Sequence, residues 1–177
     1  EEKAATWQMW FKVIVACVPA AAIGLAIDSY MQHFENWQVV SAMLIVYGVA
    51  FIIVENKTPK VKVKSIDSMT YKTALLIGAF QVLSIIPGTS RSGSTIIGAL
   101  LIGVSRVAAA EFTFFMAVPV MFGLSGIKLL KFGFAFTGAE LIVLLLGMAV
   151  AFIVSVIVIK FLMSYIKKHD FTVFGIY

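Results

Sequence analysis

The chain has 177 residues, of which 61% are apolar and 13% charged, and a mean hydropathy of +1.01, far outside the usage of soluble domains. At about 20 residues per crossing it has room for roughly five or six membrane segments in one bundle and for no separate soluble domain. The net charge of +5 sits in loops rather than along a stripe, which points to membrane topology and anionic lipid and excludes a nucleic-acid partner, while the single cysteine, Cys17, excludes a disulfide framework and a thiolate metal site.

The sequence opens on EEKAATWQMW, with no initiator Met and no basic leader, and closes on FGIY after a basic turn; it is expected to be a piece of a longer chain. Apolar residues 9–27 predict a first span, kinked at Pro19. The polar stretch 28–37 predicts a hairpin loop whose Tyr30 and Trp37 suit the membrane interface. A second span is predicted over 39–54. The loop 55–72 that follows carries Lys57, Lys60, Lys62, Lys64 and Lys72 and belongs on the cytoplasmic side by the positive-inside rule. Its KVKVK alternation reads as charged loop rather than strand, and Asp67 is expected to cap the next helix.

The apolar runs 70–86 and 95–104 are each too short to cross hydrocarbon. Two half-length helices broken by a Gly/Pro loop predict a re-entrant pair. Spans over 108–127, containing Pro119, and over 139–163 complete the predicted elements, ahead of a tail with Lys160, Lys167, Lys168 and His169. Arg106 and Glu111 are expected to pair at the start of the fourth helix. The fold class is an all-α integral membrane bundle with a discontinuous helix pair.

Between the half-length helices lies PGTSRSGST, residues 87–95. Irregular backbone at membrane depth is tolerated only where protein buries it or where it lines a wet cavity, because lipid satisfies neither N–H nor C=O. Gly88 and Gly93 allow close backbone approach, and Thr89, Ser90, Ser92, Ser94 and Thr95 supply hydroxyl donors. Arg91 supplies a fixed cationic fork that matches phosphate or carboxylate oxygens. The segment also opens a helix, whose amides and positive dipole end face the loop. Every group there donates, so the expected ligand is an oxyanion. The bland alternative has hydroxyls back-bonding within helices and Arg91 snorkelling to a head group, but it leaves unexplained why they gather round an intramembrane arginine. Gln81 is a weaker candidate on the incoming helix, and His33 and His169 read as solvated surface residues.

PGTSRSGST resembles the P-G-x-S-R-S-x-x-T signature of the undecaprenyl-diphosphate phosphatase family. The likeness extends to DSMTYKTALLIGAFQ, to GVSR at 103–106, to AAEFTFFMAVPVMFG at 109–123 and to the closing FTVFGIY, and so covers essentially the whole chain. It implies a bundle that is one half of an inverted-repeat architecture in a bacterial plasma membrane. It also implies removal of one phosphate from a C55 isoprenoid diphosphate lipid, which leaves the monophosphate carrier used in cell-wall synthesis. In that frame Arg91 binds the diphosphate, Ser90 and Thr95 hydrogen-bond its oxygens, and backbone amides near Ser92 and Gly93 stabilise developing charge.

The family also implies a divalent metal, Mg or Ca, and a possible homodimer. Its glutamate-rich E-x-x-x-E element and its Ser-Ser-Thr-Gly-His motif are absent from these 177 residues. Metal ligands are therefore expected outside them, and no metal site within them; hydrolysis by this chain alone is not expected. A carrier that moves an anionic phosphorylated lipid without bond cleavage is the alternative from another functional class.

Overall fold

The computed structural model describes residues 2–57, 60–133 and 136–176. Within these residues seven α-helices run in order: α1 (Glu2–Met31), α2 (Trp37–Asn56), α3 (Tyr71–Gln81), α4 (Arg91–Leu101), α5 (Arg106–Phe132), α6 (Gly138–Ile166) and α7 (Thr172–Ile176). A 3-10 turn, Val82–Ile85, extends α3, and another, Gln32–Phe34, follows α1. Four segments are long and apolar enough to cross a membrane: Lys3–Gly24 within α1, and the whole of α2, α5 and α6. α3 and α4, at 11 residues each, reach only about 16 Å, roughly half a hydrocarbon core.

The helix starts are set by hydroxyl caps. Ser90, Ser105, Thr70 and Thr137 each accept a hydrogen bond from an amide in the first turn of the helix they precede, which satisfies donors the helix itself leaves orphaned. Thr70 therefore does what was expected of Asp67. The reason is local: Thr70 is the residue immediately before α3, in extended conformation, with its Oγ1 3.1 Å from the Thr73 amide. Asp67 takes part instead through its carbonyl, which with that of Ile66 accepts from the buried Lys12 ammonium at 3.2 and 3.3 Å.

One end of the bundle collects the lysine loop, the end of α2, the start of α3, the α4–α5 turn and the foot of α6. Val63 forms an isolated parallel bridge with Val104, the Gly103 carbonyl accepts from the Lys62 amide at 2.8 Å, and Ser105 Oγ donates to the Lys64 carbonyl at 3.0 Å. The KVKVK alternation thus yields one bridge rather than a sheet. Thr58 and Pro59, within the predicted loop 55–72, lie outside the described residues. Arg106 does not pair with Glu111. Its guanidinium forms an ion pair with Glu55 at the end of α2, a partner 51 positions away that arrives only because α2 and α5 meet at this end.

Two buried clusters hold the bundle. One joins α1, α3 and α5 through Val13, Ala16, Ile77 and Phe112; the other joins α2 and α4, through Phe51, Val54 and Leu100, to Phe171, the residue just before α7. Small residues set the closest approaches, as is usual where lipid removes the hydrophobic drive between helices. A Cβ at Gly78 would overlap the Ala16 carbonyl. Gly78→Ala is therefore expected to push α1 from α3 and cost about 3 kcal/mol, read as a lowered thermal midpoint in detergent. Gly147→Ala in α6, where a Cβ meets nothing within 4 Å, should leave that midpoint unchanged or raise it; equal effects at the two positions would refute this packing. α6 and the far half of α5 are largely exposed, and among the described residues the burial of α6 is confined to its foot, around Leu162, Met163 and Ile166.

Candidate anion-binding site

The polar nine residues do not form one loop. The irregular part ends at Ser90, and α4 begins at Arg91, four residues before the predicted start at 95, because Ser90 takes the cap position and its Oγ accepts from the Gly93 amide at 3.1 Å. The turn before it is made by Thr89, whose amide donates to the Ile86 carbonyl at 3.1 Å, and by Gly88. Gly88 has φ +85, and a Cβ there would lie 2.5 Å from the Val40 Cα. Only glycine meets both demands.

That contact also gives the depth of the loop. α4 runs alongside α2 in the same direction, with Gly88 beside Val40, Ser94 bonded to Tyr47 at 3.1 Å, and Leu100 clustered with Val54. Val40 is only three residues into α2, so the turn sits about 24 Å along the helix from its lysine end. It approaches the end marked by the exposed Trp37.

The residues singled out in sequence divide by burial. Ser90 is exposed, with its hydroxyl 3.4 Å from that of Ser92. Thr89 and Arg91 are half-buried, and Thr89 Oγ1 and Arg91 Nη1 are each enclosed with no hydrogen-bond partner among the described residues. Such enclosed donors are uncommon and call for an explanation. Ser94 and Thr95 are each 1% exposed and their hydroxyls are engaged. Ser94 donates to the Ser90 carbonyl and to Tyr47 at 3.0 and 3.1 Å. Thr95 donates to the carbonyls of Arg91 and Ser92 and shares a 3.0 Å bond with Thr113 of α5. The Thr95 hydroxyl is thus engaged within the protein, where it ties α4 to α5. Gly93 N–H is bonded to Ser90 Oγ and Ser94 N–H to the Ser90 carbonyl, so among the described residues the first-turn donors left are those of Arg91 and Ser92.

Gly93 is buried, and a Cβ on it would come within 3.0 Å of Ser90 Cβ and 3.3 Å of the Phe51 ring; its small size protects the cap. Gln81 is 3% exposed at the last turn of α3, apart from these residues. Sequence reading missed Tyr47 and Thr113, the two hydroxyls that tie α4 to α2 and α5. The signal at Tyr47 was a lone polar side chain in an otherwise apolar stretch, whereas Thr113 follows Glu111 by two residues and had no such mark. Hydroxyls and a guanidinium are not a donor set for a divalent cation. Among the described residues no three His, Cys, Asp or Glu side chains converge. The metal that the resemblance implies does not fit this loop.

An all-helical fold whose described residues include four helices long and apolar enough to cross a membrane defines a polytopic membrane-type protein. The family described as Bacitracin resistance protein BacA matches residues 1–177, and the chain belongs to it. It is 65% identical over 175 residues to an undecaprenyl-diphosphatase of Enterococcus faecalis, which covers 97% of this chain and 63% of that protein. It is 59% identical over 179 residues to one of Desulfitobacterium hafniense, covering 99% and 64%, and 54% identical over 178 residues to one of Streptococcus thermophilus, covering 97% and 62%. The chain thus spans a little under two thirds of the length of these relatives.

Proposed function

We propose that the protein is an undecaprenyl-diphosphatase, that it acts in a bacterial plasma membrane, and that these residues supply its phosphate-binding loop. The relatives' shared activity names the substrate. The observation that carries the assignment within the chain is Arg91, whose enclosed Nη1 has no acceptor among the described residues, at the start of a helix with two unclaimed amides.

In the proposed reaction water adds to the terminal phosphorus, the bond to the bridging oxygen breaks, and inorganic phosphate and the lipid monophosphate part. Arg91 neutralises the diphosphate, the amides of Arg91 and Ser92 face charge developing on the transferring group, and Ser90 and Ser92 orient its oxygens. Thr89 Oγ1 is a further donor. Thr95 and Ser94 act by holding the helix start in place.

On this reading α3 and α4 are a re-entrant pair, supported by their half-span lengths and by the lysine-end contacts of the segments flanking both. The lysine loop is then cytoplasmic by its charge, and the turn at Gly88, close to the opposite end of α2, is reached from the outer face. The test is the naturally encoded protein in liposomes with a polyprenyl diphosphate in the bilayer. Release of inorganic phosphate is expected; movement of intact lipid across the bilayer without phosphate release would make the protein a carrier instead.

A further inference from the structure

At the lysine end, well removed from Arg91, lies a cleft of about 500 Å³ between the loop at 60–61, the α4–α5 turn and the foot of α6. A second hollow, of about 420 Å³, adjoins it through Arg106, Ile166 and Lys167. We infer that this double cleft binds the phosphate head group of an anionic phospholipid from the leaflet on the lysine side.

The charges on the rim come from separate elements: Lys60 from the loop, Lys167 from the end of α6 and Lys168 from the turn beyond it. The neighbouring carboxylates do not cancel them. Glu55 is paired with Arg106. Asp170 is ionised, its carboxyl held below the ordinary range by the Thr172 amide, which donates to it at 3.1 Å. Three lysines against one aspartate leave a net positive rim. The floor is of another kind, with the accessible apolar surface of Val61 and Val107. A free inorganic anion has no use for that floor, whereas a phospholipid lays its first methylenes there while the lysines hold its phosphate. Basic pockets between helices at the charged end of a membrane bundle suit this class of ligand.

Native mass spectrometry of the naturally encoded protein, released from phosphatidylcholine vesicles doped with phosphatidylglycerol, tests the inference. The wild type is expected to retain phosphatidylglycerol selectively, and Lys60→Gln with Lys167→Gln to lower its affinity by ~30-fold, at about fivefold per lysine. Lys128→Gln with Lys131→Gln removes the same charge at the other end of α5 and should leave retention unchanged. Lys60→Arg with Lys167→Arg should retain lipid, which separates loss of charge from loss of fold. Undiminished retention in the glutamine pair overturns the site. An equal loss in the Lys128 and Lys131 pair would show diffuse attraction instead, and displacement of the lipid by excess inorganic phosphate would make the ligand a free anion.

Discussion

Arg91→Ala is expected to lower phosphate release from a polyprenyl diphosphate by about 10³-fold or more, the scale on which arginines stabilise phosphoryl transfer, with little change in thermal midpoint. Arg91 is half-buried and its Nη1 has no partner among the described residues, so its removal breaks no bond there at that nitrogen. Arg91→Lys should restore only part of the activity, because an ammonium keeps the charge but loses the planar fork. Both variants are to be assayed in the naturally encoded protein by released phosphate, beside a melting curve in detergent. An Arg91→Ala protein that melts normally and turns over at the wild-type rate would remove this arginine from the site. One that fails to melt cooperatively would show that the guanidinium is structural.

Arg106→Ala is expected to have the largest effect on stability, with no need for it to touch the reaction. The Glu55 side chain is 3% exposed and the Arg106 side chain 44%, so the pair is anchored at its carboxylate end. Withdrawing the guanidinium leaves that carboxylate buried without its cation, a loss of about 3–5 kcal/mol for pairs broken on one side. Replacing both, Glu55→Leu with Arg106→Leu, should recover most of the loss, because neither charge is then left buried alone. Chemical denaturation of the single and double variants measures the difference. Equal stability of the single variant and the wild type would mean that water reaches Glu55 and that the pair contributes nothing measurable.

Sequence carried most of the helical framework because the signals for it are local. Long apolar runs bounded by polar residues mark α2, α5 and α6, and Pro87-Gly88 marks the break between the short helices. The capping hydroxyls stand at the right positions too, although the aspartate at 67 drew attention from the better-placed threonine at 70. Partners across the bundle were not legible. α6 is apolar on every side, so no stripe declares which face packs, and in lipid no polar face is required. Glu55 and Tyr47 find Arg106 and Ser94 only after α2 is laid beside α4 and α5. For the same reason PGTSRSGST gave the chemical character of the site without its division into a turn and a helical first turn. That division decides which hydroxyls stay accessible, and it depends on Ser90 reaching the Gly93 amide.

The bonds from Ser94 to Tyr47 and from Thr95 to Thr113 fasten the first turn of α4 to helices on two sides. A helix start held in this way has its orientation settled during folding, so an arriving anion need not order it and loses little conformational entropy of the protein on binding. Loosening either bond, by Thr113→Val for instance, would leave every donor in the loop in place yet weaken the grip on the anion, since part of the binding free energy would then go into re-forming the turn.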